Sequence, residues 1–201
     1  MTISKVMGVT DFTTVMNVAD IANVMGVDNA IGATLLDGFE SISGTLSEYT
    51  SSGYVWYQTS AAGTGLGITT STSHVTQGSF SWRWQATSLN VSGPGWQYRT
   101  SSDYIVGVDL SGFNSIELDV FGATVPANVA IDFFVEDLPD FNQFQFDGTA
   151  TGFSGADTLV LDISGFTPTE KANCNIGMRI YNVGPGTSGA VDIYIDYLRG
   201  S

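Results

Sequence analysis

The sequence predicts an all-β protein whose main domain, residues 35–201, is a jelly-roll β-sandwich preceded by a short repeat segment, residues 1–34. The chain of 201 residues holds 24 glycines and is rich in serine and threonine, which favours strands joined by turns. Apolar residues recur at every second position in several short stretches, and no longer stretch shows the 3.6-residue period of a helix. Many short strands separated by turns are typical of two packed sheets.

Alternation of apolar and polar side chains marks the individual strands. Successive side chains of a strand point to opposite faces, so the apolar set of each strand is expected to face the core. These sets are, in chain order, Phe80, Trp82, Trp84 and Ala86; Ile116, Leu118 and Val120; Val129, Ile131, Phe133 and Val135; Leu159, Leu161 and Ile163; Ile176, Met178 and Ile180; and Val191, Ile193 and Ile195. Residues 30–36 are predicted to form a connector between the repeat segment and the sandwich.

Three short motifs follow one another along residues 37–199. Phe39-Glu40 with a later Gly44 opens the domain, Thr76-x-Gly78-x-x-Ser81 leads into a central strand, and Tyr194-Ile195-Asp196-x-Leu198 ends it. In this order the motifs resemble those of the β-sandwich carbohydrate-binding modules attached to glycoside hydrolases. The resemblance supports the fold more strongly than it supports sugar binding, because one fold hosts many functions.

The resemblance also implies a structural calcium ion, which members of that module family often carry between the first strand, the mid-domain glycine turn and the last strand. Carried over to this sequence, the carboxylate ligands are Glu40 and Asp196, with Asp37 as a further candidate, and carbonyl oxygens near Gln77 and Ser79 complete the set. Calcium takes several oxygen ligands, and this set supplies them. The alternative is that Glu40 and Asp196 are solvated carboxylates at strand ends.

A sugar-binding platform is the second candidate site, because sugar rings stack on exposed aromatic side chains. Trp96 follows a Gly-Pro-Gly turn and is the expected centre of such a platform, with Tyr98 and Trp56 beside it. The alternative is that these rings close over the end of the sandwich. Trp82 and Trp84 alternate with polar residues in one strand and are expected in the core.

The first thirty residues contain the pattern apolar-x-x-Val-Met-(Gly/Asn)-Val-x-(Asp/Asn) three times in register. A segment this short cannot bury its own apolar side chains, so it is predicted to dock on other chains. The predicted assembly residues are Val6, Met7, Val15, Met16, Val24 and Met25. The first copy resembles the Ile-x-Lys-Val/Ile-Asn-Gly-Val units of structural and tail-associated proteins of tailed bacteriophages, with Met7 where those units usually have Asn. The alternative is an amphipathic leader that packs on the domain after it.

Charge and motif content exclude several classes of function. Twenty acidic and six basic residues give a net charge of −14, which disfavours nucleic acid as a partner. No apolar run is long enough for membrane insertion.

Cys174 is expected to be a buried structural thiol, and no nucleophile–base pair can be built around the single histidine, His74. The acidic residues considered for a glycosidase pair are Glu136, Asp137, Asp140 and Asp147, in or near a predicted polar turn. An enzyme is therefore not expected.

These observations predict a bacteriophage virion structural protein, either a tail fibre or baseplate component or a capsid decoration. The repeats would dock on other virion proteins, and the sandwich would face solvent, either to adhere to host-surface glycans or to reinforce a shell as decoration. Because no secretory signal is visible, the protein is expected to be made in the host cytoplasm and to reside in the virion. A homo-oligomer is expected, with a trimer favoured. The alternative is a non-viral carbohydrate-binding module or an accessory domain of a glycoside hydrolase.

Overall fold

The computed structural model describes residues 33–51, 53–90, 95–101, 107–138 and 143–201. The predicted assembly residues of the repeat segment lie outside the described residues, so their role stays a prediction. The chain from Thr34 to Ser201 forms one compact unit. Its described part contains fifteen strands and one short helix, which confirms the all-β prediction.

The bounds of these elements in chain order are β1 (Thr34–Asp37), β2 (Ser43–Thr45), β3 (Glu48–Thr50), β4 (Val55–Ala61), β5 (Gly63–Thr64), β6 (Gly67–Ser71), β7 (Ser81–Ala86), β8 (Ser88–Leu89), β9 (Trp96–Arg99), β10 (Ser115–Thr124), β11 (Val129–Asp137), β12 (Phe144–Gly148), β13 (Gly155–Asp162), α1 (Pro168–Lys171), β14 (Cys174–Asn182) and β15 (Val191–Gly200).

Two antiparallel sheets form the sandwich. The six-stranded sheet has the order β13-β10-β15-β7-β6, and β1 also pairs with β15. The seven-stranded sheet has the order β12-β11-β14-β9-β4-β3-β2. Strands adjacent in space are mostly distant in sequence, as crossovers between two packed sheets require, and β5 and β8 make a separate short pair.

The apolar sets predicted from alternation do face the core. All of their members except Phe80 are buried. Phe80 is 37% exposed because it precedes β7, which starts at Ser81. The predicted connector 30–36 is wrong at its end, since Thr34 to Leu36 belong to β1 and pair with the C-terminal half of β15. Thr34 and Leu35 are exposed, so this strand lacks the apolar alternation that would have revealed it.

Aromatic side chains fill the centre of the core. Phe39, Trp56 and Trp82 pack with ring centroids 5.1–6.4 Å apart, and Trp84, Trp96 and Tyr98 form a second group at 4.9–6.2 Å. All six side chains are completely buried. Full burial of a large apolar side chain contributes about 1.5–3 kcal/mol, so these six rings supply a substantial share of the packing energy of the sandwich.

The short helix α1 begins after the N-cap Thr167, whose side chain accepts a hydrogen bond from the Glu170 amide while Glu170 bonds back to the Thr167 amide. Its lysine, Lys171, donates to the carbonyl of Phe113 at 2.6 Å and so fixes the helix to the sandwich. Within the described ranges, no helix has the length and apolar character needed to cross a membrane.

Candidate functional site

The three aromatic residues predicted to bind sugar lie inside the core. Trp56, Trp96 and Tyr98 are each 0% exposed, so none can present a ring face to a ligand, and this prediction is wrong. In β9, Trp96 and Tyr98 alternate with Gln97 and Arg99, and the aromatic pair takes the inward positions. Tyr98 donates its hydroxyl to the carbonyl of Leu46 at 2.6 Å, and burial raises the pKa of this hydroxyl.

The opposite face of the same sheet carries a row of residues that points away from the core, in which Phe146 is exposed, Tyr57 and Arg99 are partly exposed, and Phe134 is covered by its neighbours. Strand pairing places Tyr57 beside Arg99, Arg99 beside Gly177, Gly177 beside Phe134 and Phe134 beside Phe146. We call these five residues the outer row, and those of β4, β9, β14 and β11 alternate along their strands with buried residues. Because neighbouring strands lie about 4.8 Å apart, the row crosses five strands over about 19 Å, room for several sugar rings.

Aromatic rings cover one end of the outer row. The ring of Phe134 lies over the backbone of Gly177, where a Cβ atom would overlap the ring, so glycine is required at this position. Phe144 stacks on Phe134 with centroids 5.6 Å apart, and Phe146 follows at 6.1 Å from Phe144. Phe144 is 53% exposed and Phe146 65% exposed. Large apolar side chains this exposed, next to one another, are typical of a binding surface.

Two ion pairs provide the polar groups of this face. Arg99 binds the carboxylate of Glu136, which also accepts a hydrogen bond from Asn175 at 2.8 Å. Arg179 binds Asp132 at 2.6 Å, and this pair lies beside the outer row, two residues from Phe134 along β11. The guanidinium of Arg99 lies 4.9 Å from the centre of the Phe134 ring, and that of Arg179 lies 4.9 Å from the Tyr181 ring. Each positive charge is thus matched by a negative one.

The sequence reasoning missed these residues. Glu136 was expected on the polar face of its strand, where a turn begins, and not in a binding site; it is the eighth residue of β11. A usable signal existed in the Phe144-x-Phe146 spacing, which puts two aromatic rings on one side of a strand. The ion pairs join β9 to β11 and β14 to β11, and such distant pairings cannot be inferred from spacing along one chain.

The residues predicted to bind calcium cluster around the turn 76–80, with one exception. Glu40 accepts hydrogen bonds from the Ser79 amide at 2.9 and 3.0 Å. Asp196 accepts from the amides of Thr76 at 2.6 Å and Gln77 at 3.0 Å. A Cβ atom at Gly78, where φ is +75°, would overlap the Glu40 carboxylate, which explains the glycine of the Thr-x-Gly motif.

Asp37 does not join this cluster. One of its carboxylate oxygens accepts a hydrogen bond from the Phe39 amide at 2.8 Å. The other accepts from the indole of Trp56 at 3.0 Å and from the hydroxyl of Ser51. Asp37 is 1% exposed and acts as a structural acceptor at the start of the domain, while its role as a metal ligand stays a prediction.

The cluster around the turn 76–80 carries features of a cation site. The side-chain oxygen of Gln77 is buried and has no hydrogen-bond partner within the described residues. Residues with positive φ adjoin both carboxylates, Phe39 (+51°) before Glu40 and Tyr197 (+53°) after Asp196. The described ranges hold no group of three or more His, Cys, Asp or Glu side chains placed to hold a metal, so amide and carbonyl oxygens would have to complete a coordination shell here.

Burial raises the pKa of the Asp196 carboxyl to about 6, and the nearby Glu40 carboxylate acts in the same direction. Because this pKa is higher in the folded than in the unfolded chain, Asp196 contributes most to stability when protonated, below about pH 4. We expect that contribution to fall by on the order of 3 kcal/mol as the pH of the calcium-free protein rises through about 6.

The measurement is the free energy of unfolding of the calcium-free wild type and of Asp196→Asn at pH 5 and pH 7.5. Asparagine cannot ionise, so the free energy of unfolding of the variant should rise relative to that of the wild type between pH 5 and pH 7.5. The exposed residue Asp109 gives a matched control, since Asp109→Asn should change stability equally at both pH values. A wild-type-to-variant difference that is independent of pH would contradict the assignment.

Comparison with known proteins gives matches in structure and none in sequence. No protein-family model matches the chain, and no characterised protein matches it in sequence. Solved structures do match. A structure of carbohydrate-binding modules of the β-sandwich superfamily superposes with a TM-score of 0.51 at 16% identity, over 86% of this chain and 63% of that one. The family 11 carbohydrate-binding module of Clostridium thermocellum, in complex with a β-1,3-1,4-mixed-linked tetrasaccharide, gives 0.50 at 15% identity, over 84% of this chain and 94% of that one.

The sandwich therefore has the fold of a carbohydrate-binding module. This agrees with the resemblance that the three sequence motifs indicated. At these identities the likeness concerns the fold alone, so any ligand must be argued from the residues of this chain.

Proposed function

We propose that this protein is a non-catalytic carbohydrate-binding protein whose sandwich binds glycans along the outer row. The observation that carries the proposal is the row itself. It places the aromatic side chains of Tyr57 and Phe146 in one register with Arg99 across five strands, and the exposed ring of Phe144, the carboxylate of Glu136 and the amide of Asn175 lie in the adjacent register. Pyranose rings stack on aromatic faces, and planar polar side chains hydrogen-bond to hydroxyl groups.

The charges of this face favour a neutral glycan. Arg99 and Arg179 are each bound to a carboxylate, Glu136 and Asp132 respectively, so neither is available to neutralise an anionic sugar. The whole chain carries a net charge of −14, which repels polyanions. We therefore propose neutral polysaccharides or host-surface glycans as ligands.

The arrangement of carboxylates supports a binding role over hydrolysis. Asp132 and Glu136 lie four residues apart on β11, about 13 Å along the strand, beyond the roughly 5–9.5 Å that separates glycosidase carboxylates. Asp137 faces the core, and Asp147 accepts from the amides of Gly148 and Val160. Asp140 lies outside the described residues.

The test is retardation of the protein in native gels containing neutral polysaccharides such as mixed-linked β-glucan, galactan and xylan. Retardation by at least one of them, with no retardation by an anionic polysaccharide of similar size, is expected. If mobility is unchanged in every gel, the glycan-binding proposal fails.

The second part of the proposal concerns location. We propose that the repeat segment docks the sandwich on a bacteriophage particle, as a tail or capsid surface protein and as a homo-oligomer, with a trimer favoured. Repeated Val-Met pairs in a short segment support docking, since they need an apolar partner surface. A second candidate is a non-viral carbohydrate-binding module or an accessory domain of a glycoside hydrolase, and the shared fold of carbohydrate-binding modules is compatible with it.

Deleting residues 1–33 separates these candidates. The compact unit from Thr34 onward should stay folded with an unchanged melting temperature, while its incorporation into particles and its self-association are lost. Removing one nine-residue unit should weaken incorporation without abolishing it, because multivalent docking is graded. The measurements are particle pull-down and sedimentation. Normal incorporation of the truncated chain would contradict docking by the repeats.

We also propose that the cluster around the turn 76–80 holds a structural calcium ion. Glu40 and Asp196 would supply carboxylate oxygens, and the buried side-chain oxygen of Gln77 would supply a neutral ligand. Backbone oxygens near Ser79 would complete the shell. The ion would supply positive charge between two carboxylates that lie close enough for one to raise the pKa of the other.

A further inference from the structure

A cavity of about 290 Å³ opens on the outer face of the six-stranded sheet, the sheet that does not carry the outer row. Its walls come from the turn that contains His74 and Thr76 and from strands β10, β13 and β15. Phe121 of β10 and Tyr194 of β15 line it, and both alternate with core residues along their strands. Nothing in the proposed glycan or calcium site uses these rings.

Three aromatic rings form one wall of this cavity. The imidazole of His74 stacks on Phe121 with centroids 3.5 Å apart and planes 14° apart. Tyr194 meets the same imidazole nearly edge-on, at 4.6 Å and 64°. The guanidinium of Arg83 lies 5.5 Å from the centre of the Tyr194 ring, so this ring already attracts one cation. The Tyr194 ring thus stands at a steep angle to the stacked pair, 64° from His74 and 76° from Phe121, and aromatic cages that bind cations contain rings arranged in this way.

The charged residues of the cavity are acidic. Asp119 and Asp157 line it, together with Asp196, which the proposed calcium site also uses, and no lysine or arginine is among the described residues that do so. Arg199 binds Asp119 at 3.0 Å from outside the lining, so with Asp196 in the calcium site the negative charge left to the cavity is that of Asp157. Carboxylates and the faces of aromatic rings both attract positive charge, and carboxylates repel anions.

His74 is held in its place at a conformational cost. Its φ is +55°, in the left-handed region that costs free energy for a residue with a side chain. It is the only histidine of the chain and lies in an exposed turn where glycine would remove that cost. A strained aromatic residue at the rim of a cavity indicates that the ring has a use there.

We propose that this cavity binds an organic cation through its ammonium group, with the rings of His74, Phe121 and Tyr194 on one side and the acidic wall on the other. A trimethylammonium group of the choline type and a protonated amino sugar share this chemistry, and both are small enough for about 290 Å³. The binding is independent of the outer row.

The test is isothermal titration of the full chain with choline and with glucosamine. The neutral comparators are 3,3-dimethylbutan-1-ol, which has the shape of choline, and glucose. We expect one of the two cations to bind at least about tenfold more tightly than its neutral comparator, a preference that also identifies the source of the ammonium group. Equal affinity for cation and comparator in both pairs, or binding by neither cation, would overturn the proposal.

Two variants locate the binding. His74→Gly removes one ring and relieves the left-handed strain, so it should leave the melting temperature unchanged or higher and weaken cation binding by about threefold to tenfold. Asp157→Asn should weaken binding, whereas Asp162→Asn, on the same strand outside the cavity, should not. Unchanged affinity in both His74→Gly and Asp157→Asn would show that the cation binds elsewhere and would also overturn the proposal.

Discussion

Replacing Asp37 with alanine is expected to lower the free energy of unfolding by about 3–5 kcal/mol. The same replacement at any exposed acidic residue is expected to cost less. The substitution leaves the Phe39 amide, the Ser51 hydroxyl and the Trp56 indole without this acceptor in a buried environment. Each buried donor that loses its partner costs about 1–3 kcal/mol. The measurement is chemical denaturation monitored by tryptophan fluorescence.

Two control variants give smaller expected losses of stability with which the loss in Asp37→Ala can be compared. Trp56→Phe removes one donor and keeps most of the ring volume, so it should cost less than Asp37→Ala. Asp109→Ala removes an exposed carboxylate that accepts from the Ser111 amide at 2.9 Å, and it should change stability by no more than about 0.5 kcal/mol. If Asp37→Ala costs as little as Asp109→Ala, then Asp37 is not the acceptor that fixes the start of the domain.

Removing calcium is expected to lower the melting temperature by about 5–10 °C. A ligand that binds only the folded state stabilises it by about 2.7 kcal/mol at a hundredfold excess over its Kd. For a domain of this size, 1 kcal/mol corresponds to about 2–4 °C. Thermal unfolding followed by circular dichroism in calcium and in chelator gives the difference directly.

Variants of the two carboxylates test where the ion binds. Glu40→Gln and Asp196→Asn should each abolish most of the calcium-dependent shift, because each removes a charged ligand. Asp109→Asn should retain it in full. Identical melting curves of the wild-type protein in calcium and in chelator would show that the cluster around the turn 76–80 is held by its backbone hydrogen bonds alone.

The sequence was sufficient to predict the sandwich because each long strand repeats its apolar residues with a period of two. Leu159 and Leu161, or Ile193 and Ile195, identify the inward face without knowledge of the partner strand. Glu40 and Asp196 were also found from sequence, since their motifs occur at the ends of the domain in order. The structure adds that both contact the turn 76–80.

The glycan site could not be predicted in the same way, because its residues come from five strands whose pairing is not visible in any single stretch of sequence. Trp96 and Tyr98 looked like an exposed pair after a glycine turn, yet β9 lies between β14 and β4 and turns them inward. Their neighbour Arg99 then faces outward, where pairing with Gly177 and Phe134 across two further strands builds the outer row. Such a row exists only in the folded register.

The most direct test of the glycan-binding role is the affinity of the double variant Phe144→Ala, Phe146→Ala for the polysaccharide that retards the wild type. Both rings are more than half exposed, so the fold should survive, while the loss of stacking area should weaken binding by at least about tenfold. Phe80→Ala, at an exposed phenylalanine next to the six-stranded sheet, is the matched control and should bind as the wild type does. A folded double variant with unchanged affinity would contradict the assignment of the outer row as the glycan-binding surface.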